Sequence, residues 1–369
     1  MSLKKWKEGK AQIFVPERSL LRKLERYPAF YNPRGALTRD VSVGIARTLG
    51  KNVNFLDAMC GVGVRGIRAC VEADVKRVVL NDVNPEAIAL AYLNAKENGI
   101  LDKVELQSQG CNALCALEDF KKGYEFVDVD PFGSVAPFTH NALLATRDCG
   151  ILGVCSTDGA NLCGNRPHAL HRLYFAFNKN KLGKKESALR ILMGFVIRSA
   201  AVLGFAAKPV LCYVFADYFR CHFLVKRSQK EAEALTRKIG YTLSCEHAHY
   251  SSEPVCEVCG ARAVSGPLWT GELCDKEFVT QVLSEITKLD FVQKQTKKLL
   301  LLLSEECSIT QSFVDLHALV KGLGLGTPKI EKVLEQLKSN GFKATRTHFS
   351  PTGVRTDAPL KHVLQACKS

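Results

Sequence analysis

The chain of 369 residues is 46% hydrophobic and 24% charged, a composition typical of a globular protein with enough length for two domains. No apolar segment approaches the roughly 20 residues that a membrane-spanning helix needs, and the amino-terminal residues lack the apolar core of a signal peptide. These features exclude a membrane-spanning protein, and we expect a soluble protein of the cytoplasm.

The net charge is +14, from 51 basic and 37 acidic residues. Lysine and arginine displace condensed counterions from phosphates, so such an excess favours a nucleic-acid partner. Many basic proteins bind no polyanion, and charge by itself leaves both interpretations open. The fifteen cysteines are scattered, and without an export signal we expect them to be reduced and mostly buried. No obligate protein partner is indicated.

Residues 1–50 are basic and contain prolines and a glycine in loop-like contexts. We expect Lys4, Lys5, Lys7 and Lys10 to form a solvated arm. Residues 51–230 alternate short apolar runs with longer segments of helical spacing. The runs predict strands at Val53–Asp57, Arg77–Asp82, Lys103–Gln107, Glu125–Asp130, Gly150–Cys155, Pro209–Ala216 and Cys221–Lys226.

Helix-length gaps separate the first four predicted strands, which favours a parallel sheet with crossover helices. A short polar link separates the last two, which therefore predict an antiparallel hairpin. The expected fold class is α/β, the doubly wound and mostly parallel sheet of class I methyltransferases with an antiparallel terminal hairpin, followed by a smaller α+β unit.

Helical spacing predicts a helix at Pro85–Asn98, with proline in its first turn and glycine just past its end. Further helices are predicted at Lys230–Lys238, Lys276–Ser304 and Ile330–Ser339. The last helices are followed by the strand-like residues 341–350, which indicates a winged-helix-like module.

Gly61, Gly63 and Gly66 follow the first predicted strand with the spacing G-x-G-x-x-G. Glycines let the backbone turn tightly and approach a ligand closely. Asp57 ends the strand before them, and Asp82 ends the next strand, where a carboxylate can hold ribose hydroxyls. The pattern fits S-adenosylmethionine, a nicotinamide dinucleotide or a purely structural turn.

Two residues of this segment favour the methyl donor. Asp57 places an acid beside the positively charged methionine part of S-adenosylmethionine, and Arg65 can bind its carboxylate. After the third predicted strand, Asn112 stands where an amide can contact adenine, although helix capping explains it equally well.

The segment Phe126–Ser134 carries Asp130, Pro131 and Phe132 at the carboxyl end of the fourth predicted strand, where open α/β sheets place their chemistry. It resembles the (Asp/Asn)-Pro-Pro-(Tyr/Phe) loop of amino-group methyltransferases. An aromatic amine is a weak nucleophile because its lone pair is delocalised, and Asp130 supplies an acceptor or base for its N–H. Phe132 can stack on an extruded base. The alternative is a loop that only caps the strand.

Five ordered blocks resemble the tRNA (guanine-26) N2-dimethyltransferase family across nearly the full length. The blocks are Ala29–Pro33 with Thr38–Asp40, Asp130–Gly133 with Ala136–Phe138, Gly194–Arg198, Gly266–Trp269 with Gly271, and Thr347–Pro351 with Thr356–Pro359. The glycine turn lies in a region that varies between members, and the loop Thr157–Gly164 matches only loosely, which bears on substrate positioning.

The resemblance implies transfer of one or two methyl groups from S-adenosylmethionine to the N2 atom of guanine 26 in tRNA. It implies that Asp130 is the catalytic acceptor and that Phe132 and Phe30 frame the guanine. Residues 1–235 would be the methyltransferase domain and residues 236–369 a tRNA-binding domain. The resemblance also implies that Arg39, Arg65 and Asp82 contact the methyl donor. Together with the residues of the glycine-turn segment and Asn112, the predicted cofactor-binding residues are Arg39, Asp57, Gly61, Gly63, Arg65, Asp82 and Asn112.

Cys256 and Cys259 form a C-x-x-C pair that can present two thiolates to one metal. With Cys245 and His247 they predict a structural zinc site, and His249 is an alternative ligand. The family often carries two cysteine pairs here, whereas the first pair is incomplete in this chain. Free buried thiols and a redox pair therefore stay open.

Three other functions remain open from the sequence. They are an amino-methyltransferase for ribosomal RNA or DNA adenine, a catalytically silent tRNA-binding protein and a dehydrogenase. His348 has the position for a phosphate contact, but a local hydrogen bond is the favoured interpretation.

Overall fold

The computed structural model describes residues 2–20, 29–121, 123–243, 245, 250–321 and 326–368. Within these ranges the strands are β1 (Leu3–Glu8), β2 (Ala11–Pro16), β3 (Asn54–Asp57), β4 (Arg77–Asn81), β5 (Val104–Gln107), β6 (Tyr124–Val129), β7 (Thr146–Ser156), β8 (Phe177–Asn178), β9 (Ala206–Phe215), β10 (Tyr218–Lys226), β11 (Ile239–Leu243), β12 (Tyr250–Ser251), β13 (Ala263–Trp269), β14 (Val314–Asp315), β15 (Ala344–Arg346) and β16 (Gly353–Thr356).

The α-helices of the same ranges cover both faces of the largest sheet and build most of the carboxyl-terminal part. They are α1 (Ala36–Leu49), α2 (Val64–Ala73), α3 (Pro85–Glu97), α4 (Cys111–Ala116), α5 (Thr139–Ala145), α6 (Gly159–Leu162), α7 (Pro167–Tyr174), α8 (Lys184–Val202), α9 (Gln229–Thr236), α10 (Lys276–Thr287), α11 (Lys294–Glu306), α12 (Leu316–Lys321), α13 (Ile330–Ser339) and α14 (Leu360–Lys368). None of these helices is long and apolar enough to cross a membrane.

Seven strands form the central sheet in the order β5-β4-β3-β6-β7-β10-β9. Strands β3 to β7 are parallel, while β10 runs antiparallel to both of its neighbours, β7 and β9. The strand order reverses between β3 and β6, and such a switch point opens a crevice at the carboxyl ends of the strands. This topology confirms the predicted fold class.

The core strands match the predicted apolar runs closely because the sheet is covered on both faces. Strands buried on both faces are continuous apolar runs rather than alternating ones. Phe55 of β3 and Phe126 of β6 are fully buried and stack with ring centroids 4.4 Å apart, across the switch point.

The amino-terminal segment is a hairpin of β1 and β2 rather than the solvated arm that the lysines predicted. Strand β2 buries alternate residues, Ala11, Ile13 and Val15, and packs against α2 and α3. Asn94 of α3 accepts a hydrogen bond from the N–H of Phe14 (2.6 Å) and donates to its carbonyl (3.1 Å). The lysines themselves are exposed, as expected.

The helical stretch predicted at Lys276–Ser304 is two helices, α10 and α11. Asp40 of α1 accepts hydrogen bonds from the N–H of Gln293 (3.1 Å) and the hydroxyl of Thr296 (2.7 Å) at the start of α11. A side-chain acceptor at this position satisfies N–H groups that a helix leaves unpaired. The break was missed because this capping carboxylate comes from a distant part of the chain.

Residues after 236 contribute two small sheets, in the orders β12-β11-β13-β8 and β14-β16-β15. We call residues 314–368 the carboxyl-terminal module. Its elements β14, α12, α13, β15 and β16 follow each other in the order of a winged helix. The first of these sheets includes β8, which comes from before residue 236, so the two predicted domains share a sheet.

Helix α8 lies between the two halves of the chain and packs against both β9 and β13. A Cβ atom on Gly194 would lie 3.1 Å from the backbone nitrogen of Trp269, so β13 crosses the helix at backbone distance. Two of the five sequence blocks, Gly194–Arg198 and Gly266–Trp269, are therefore in direct contact.

Buried ion pairs connect α8 to the carboxyl-terminal module. Glu186 accepts hydrogen bonds from the two Nη groups of Arg355 in β16 (3.1 and 2.9 Å) and from Nε of Arg190 (2.8 Å). Glu306 of α11 accepts from Nε of Arg355 (3.1 Å) and from Nδ1 of His348 (2.8 Å). Each of these side chains is at most 2% exposed.

His348 is fully engaged inside the protein. Its Nε2 accepts a hydrogen bond from the backbone N–H of Val214 (3.3 Å) while Nδ1 faces Glu306. The ring therefore bridges the central sheet and α11, in agreement with a local hydrogen bond rather than a phosphate contact.

Candidate active site

The candidate site lies at the carboxyl ends of β3 and β6, on the two sides of the switch point. After β3 the backbone turns through Gly61 and Gly63, which have φ angles of 54° and 81°. A Cβ on Gly61 would lie 2.9 Å from the carbonyl oxygen of Phe30, so this position excludes a side chain for both reasons. The turn thus brings Phe30 against the predicted methyl-donor loop.

Two carboxylates organise this turn. Asp82, which follows β4, accepts the N–H of Gly61 at 2.9 Å. Asp57, the last residue of β3, is 2% exposed and accepts the N–H of Gly66 at 3.1 Å. Burial raises the pKa of Asp57 to about 7, against the lowering effect of the Arg65 guanidinium. A carboxyl with this pKa changes its charge readily when a cation binds beside it.

Asp130 follows β6 and is held by Arg65 of α2. Nη2 of Arg65 donates to Oδ2 of Asp130 at 2.5 Å, Nε lies 3.1 Å from Oδ1 of Asp128, and Nη1 donates to Ser42 at 2.8 Å. Arg220 of β10 forms an ion pair with Asp128 and lies 3.6 Å from Oδ2 of Asp130. Two guanidinium groups thus orient Asp130, whose side chain stays 20% exposed.

Arg220 is in turn supported by His222, two residues further along β10. Nδ1 of His222 donates to the carbonyl of Leu211 (2.9 Å), and Nε2 lies 3.4 Å from Nη2 of Arg220, from which it can accept. Burial and the neighbouring guanidinium lower the pKa of His222 to about 3. The ring is therefore a neutral acceptor that fixes the guanidinium.

The aromatic residues of the site lie together beside Asp130. The rings of Phe30 and Phe132 meet edge to face, with centroids 4.8 Å apart and planes at 76°. Phe132 is 68% exposed, which leaves one large apolar ring available to a planar partner.

The loop that carries Phe132 is fixed to the end of β7. Thr157 accepts the N–H of Gly133 through its hydroxyl (2.8 Å) and donates its own N–H to the carbonyl of Gly133 (2.9 Å). The hydroxyl of Ser134 hydrogen-bonds to that of Tyr174 (2.7 Å), and the Tyr174 hydroxyl donates to Asp158 (3.1 Å). The loop is therefore anchored on β7 and α7.

Arg39 of α1, a predicted cofactor-binding residue, is held by a buried ion pair. Its Nε and Nη2 donate to the two carboxylate oxygens of Glu8 at 2.6 Å each, and Nη2 also donates to the carbonyl of Asn32 (2.9 Å). Burial raises the pKa of the Glu8 carboxyl, but the Arg39 guanidinium outweighs this effect together with Arg68, so the pKa is lowered to about 2. Among the described residues Arg39 Nη1 has no hydrogen-bond partner.

Asn112 lies at the start of α4, beyond β5. Its Nδ2 donates to the carbonyl of Pro137 at 3.0 Å. Its Oδ1 is buried and has no partner within the described ranges. The side chain does not cap α4, so the capping interpretation is not supported, and one acceptor is left for a ligand.

Sequence reasoning missed the residues that position the site. Glu8, Thr157, Tyr174, Arg220 and His222 were not singled out as site residues. The signal for Arg220 and His222 is a charged and a polar residue inside an otherwise apolar strand. Such residues are buried only when a partner compensates them.

Similarity to known proteins extends over nearly the whole chain. Residues 9–368 match the family described as N2,N2-dimethylguanosine tRNA methyltransferase. The tRNA (guanine(26)-N(2))-dimethyltransferase of Thermococcus kodakarensis is 35% identical over 385 residues, with 100% of both chains covered. That of Pyrococcus horikoshii is 33% identical over 384 residues, with 98% of this chain and 97% of the relative covered.

The chain belongs to the N2,N2-dimethylguanosine tRNA methyltransferase family. The structure of Trm1 from Pyrococcus horikoshii with S-adenosyl-L-methionine matches with a TM-score of 0.87 and 32% identity, covering 99% of each chain. The predicted family and enzyme class, an S-adenosylmethionine-dependent tRNA (guanine-26) N2-dimethyltransferase, are thus confirmed, and the dehydrogenase alternative is set aside.

Three of the four residues predicted to bind zinc lie close together. The Sγ atoms of Cys245, Cys256 and Cys259 lie within 4.8 Å of one another. Cys256 and Cys259 sit on a tight turn in which the N–H of Gly260 donates to the carbonyl of Cys256 (2.8 Å). The predicted fourth ligand, His247, lies outside the described residues, as does His249.

Proposed function

We propose that this protein transfers one or two methyl groups to the exocyclic N2 amine of guanine 26 in tRNA, with Asp130 as the acceptor for the amine N–H. The observation that carries the proposal is the carboxylate of Asp130, which Arg65 of the glycine-turn helix holds 2.5 Å away, beside the exposed ring of Phe132. This arrangement joins the methyl-donor loop to the base-binding loop.

The chemistry follows from these side chains. S-adenosylmethionine supplies an electrophilic methyl group when it is bound. Asp130 accepts a hydrogen bond from the N2 amine, which concentrates electron density on the nitrogen, and takes up the proton that the amine loses as the new C–N bond forms. Phe132 and Phe30 hold the guanine plane, so that the amine faces the methyl group in line with its bond to sulfur.

The predicted cofactor residues are proposed to contact different parts of the methyl donor. Asp82 is proposed to hold the ribose hydroxyls and Asn112 Oδ1 the adenine amine. Asp57 would lie near the sulfonium, and Gly61 and Gly63 give the backbone close access.

The two arginines are proposed to act at the methionine end of the donor. Arg39 has Nη1 left for the methionine carboxylate, since its other nitrogens bond to Glu8 and Asn32. Arg65 already bonds to Asp130 and Ser42, so its main task would be to orient the acceptor.

The carboxyl-terminal domain, residues 236–369, is proposed to dock tRNA. A cleft of about 430 Å³ between α10, α11 and the carboxyl-terminal module supports this. Its lining includes Lys276, Lys338 and Lys343, which can neutralise backbone phosphates.

One structural zinc ion is proposed at Cys245, Cys256 and Cys259, with His247 as the fourth ligand. Three thiol ligands on one tight turn and its neighbour fit a closed tetrahedral site. We also propose a cytoplasmic location, which is supported by fifteen cysteines without a disulfide bond, all of them in the described ranges.

Nucleoside mass spectrometry of tRNA incubated with the pure protein and S-adenosylmethionine tests the proposed reaction. We expect N2-methylated guanosine in tRNA with guanine at position 26 and none when this base is replaced by adenine. Product on ribosomal RNA or DNA instead would contradict the proposal, and bound but unaltered tRNA would indicate a silent binding protein.

The acceptor role of Asp130 predicts that Asp130→Asn lowers the rate of methyl transfer about 10²- to 10⁴-fold, because the amide is a poor acceptor and no base. Transfer of a tritiated methyl group to tRNA measures the rate, and calorimetry checks that S-adenosylmethionine still binds. Asp102→Asn, at an exposed position away from the crevice, is the matched control and should keep full activity.

A further inference from the structure

Helix α7 and the chain after it form a strongly basic surface. Residues 159–185 contain six lysines and arginines and no aspartate or glutamate. Arg166 and Arg172 are exposed, as are His168 and His171 between them. None of the six cations forms an ion pair with a residue in the described ranges, so their charge is not compensated locally. We call residues 165–185 the α7 surface.

An exposed aromatic residue ends the helix in the middle of this surface. Phe175 is 65% exposed, has a φ of 51°, and lies with its ring centroid 5.8 Å from that of His171. A bulky residue rarely adopts this left-handed conformation, which costs conformational energy. The neighbouring Tyr174 is fully buried, so the turn directs one ring inward and leaves the other in solvent.

The inward ring connects this surface to the catalytic loop. The Tyr174 hydroxyl bonds to Ser134, four residues after Asp130, and Nη2 of Arg198 donates to the Tyr174 carbonyl at 2.9 Å. The surface is thus fixed next to the loop that carries Asp130 and Phe132. A polyanion bound there would lie beside the reacting base.

We propose that the α7 surface is a second tRNA-docking surface, in which Arg166 and Arg172 contact phosphates and Phe175 stacks on a base near the methylated guanine. The inference rests on the proposed function, since it concerns the same substrate. Phosphates attract unpaired cations, and an exposed aromatic ring among them offers stacking that every base can accept. Strand β8 of this surface also pairs with β13, so the α7 surface adjoins the carboxyl-terminal domain as well as the catalytic loop.

Fluorescence anisotropy with a labelled tRNA transcript, at several salt concentrations between about 50 and 200 mM, tests this surface. For Arg166→Ala/Arg172→Ala we expect weaker binding and a decrease of about two in the slope of log K against log salt, because two phosphate contacts are lost. Phe175→Ser should raise Kd at least about fivefold with an unchanged slope, because stacking is not ionic.

Lys76→Ala/Lys96→Ala is the matched control, because both lysines are exposed and lie at the opposite edge of the sheet from the crevice. It removes the same charge and should keep the wild-type Kd and slope. Unchanged S-adenosylmethionine binding verifies that each variant is folded. Wild-type Kd and slope in both test variants would overturn the proposal, and so would an equal loss in the control. A wild-type protein that methylates no tRNA would instead refute the proposed function.

Discussion

Arg65 contributes to two parts of the site through one side chain. It comes from the helix that follows the glycine turn, yet its guanidinium binds Asp130 and Asp128 at the end of the neighbouring strand β6. Buried ion pairs of this kind stabilise little by themselves, but they fix geometry when every group has a partner. We infer that the position of the proposed acceptor, Asp130, depends on the helix that follows the glycine turn.

The raised pKa of Asp57 predicts that the affinity for S-adenosylmethionine depends on pH. Burial raises its pKa to about 7 in the free protein, so below this pH the carboxyl is protonated and must lose a proton when a cation binds beside it. Affinity for S-adenosylmethionine should therefore rise with pH up to about 7, by at most about tenfold per pH unit, and then level off.

S-adenosylhomocysteine lacks the positive sulfur and provides the control for this prediction. Calorimetric titration of both compounds between about pH 5.5 and 8.5 gives the ratio of their affinities. The ratio should change with pH in the wild-type protein and be flat in Asp57→Asn. A flat ratio in the wild-type protein would contradict the placement of Asp57 near the sulfonium.

The residues at the site were predictable where their chemistry is local. The glycine turn, the carboxylates after strands and the Asp-Pro-Phe loop are visible because backbone conformation and strand ends restrict which residues occur there. Glu8 was not predictable, because its partner Arg39 is distant in the sequence. Arg220 and His222 stand out as polar residues in an apolar strand, but the role of Arg220 depends on Asp128, which is also distant in the sequence.

Among the elements, the amino-terminal hairpin depends on α3 for its position. The side chain of Asn94 hydrogen-bonds to the backbone N–H and carbonyl of Phe14 in β2. It also donates to the carbonyl of Val62 in the glycine turn (2.9 Å). The hairpin carries Glu8, which binds Arg39. An element outside the central sheet thus supports the site.

We expect Asn94→Ala to lower the free energy of unfolding by about 2 kcal/mol or more, because it leaves the buried carbonyl of Val62 and two partly buried backbone groups of Phe14 without these partners. Urea denaturation measures this change, and hydrogen exchange should increase in Ala11–Pro16. Lys96→Ala, on the exposed face of the same helix, should change stability by less than about 0.5 kcal/mol. Equal stability of the two variants would contradict the role of Asn94.

The fold was predictable from the sequence for strands covered on both faces, since β3, β4 and β6 each contain a short run of buried apolar residues. The hairpin of β1 and β2 was missed because lysine-rich β1 hides the alternation in β2. The separation of α10 from α11 was missed because Asp40 provides the cap from α1. Local patterns predict elements, and long-range contacts decide where some of them end.

For the whole molecule, the Glu186–Arg355 pair connects the sheet to the carboxyl-terminal module. Burial raises the pKa of Glu186, but the guanidinium groups of Arg355 and Arg190 outweigh this effect and lower the pKa to about 2. The carboxylate is therefore charged at neutral pH. Two arginines and two glutamates form this buried network, namely Arg190, Arg355, Glu186 and Glu306. The two halves are therefore expected to unfold together.

We expect Arg355→Met to destabilise the protein by about 3–5 kcal/mol, because it removes the guanidinium that bridges the buried carboxylates of Glu186 and Glu306 and leaves both carboxylates incompletely paired. Differential scanning calorimetry should give a single transition for the wild-type protein and two for the variant. The control is Lys338→Met, which removes an exposed cation of the same module and should retain a single transition near the wild-type midpoint. A single, unshifted transition in Arg355→Met would refute the coupling.

The contact of Arg65 with Asp130 also limits how this enzyme can be re-engineered. Exchanging the proposed donor-binding turn and its helix for those of a distant methyltransferase would remove the guanidinium that holds the proposed acceptor Asp130 at the end of another strand. A chimera of that kind would bind the donor yet misalign the amine, unless the incoming helix carries an arginine at the same place. The turn and the proposed acceptor would therefore have to be exchanged together.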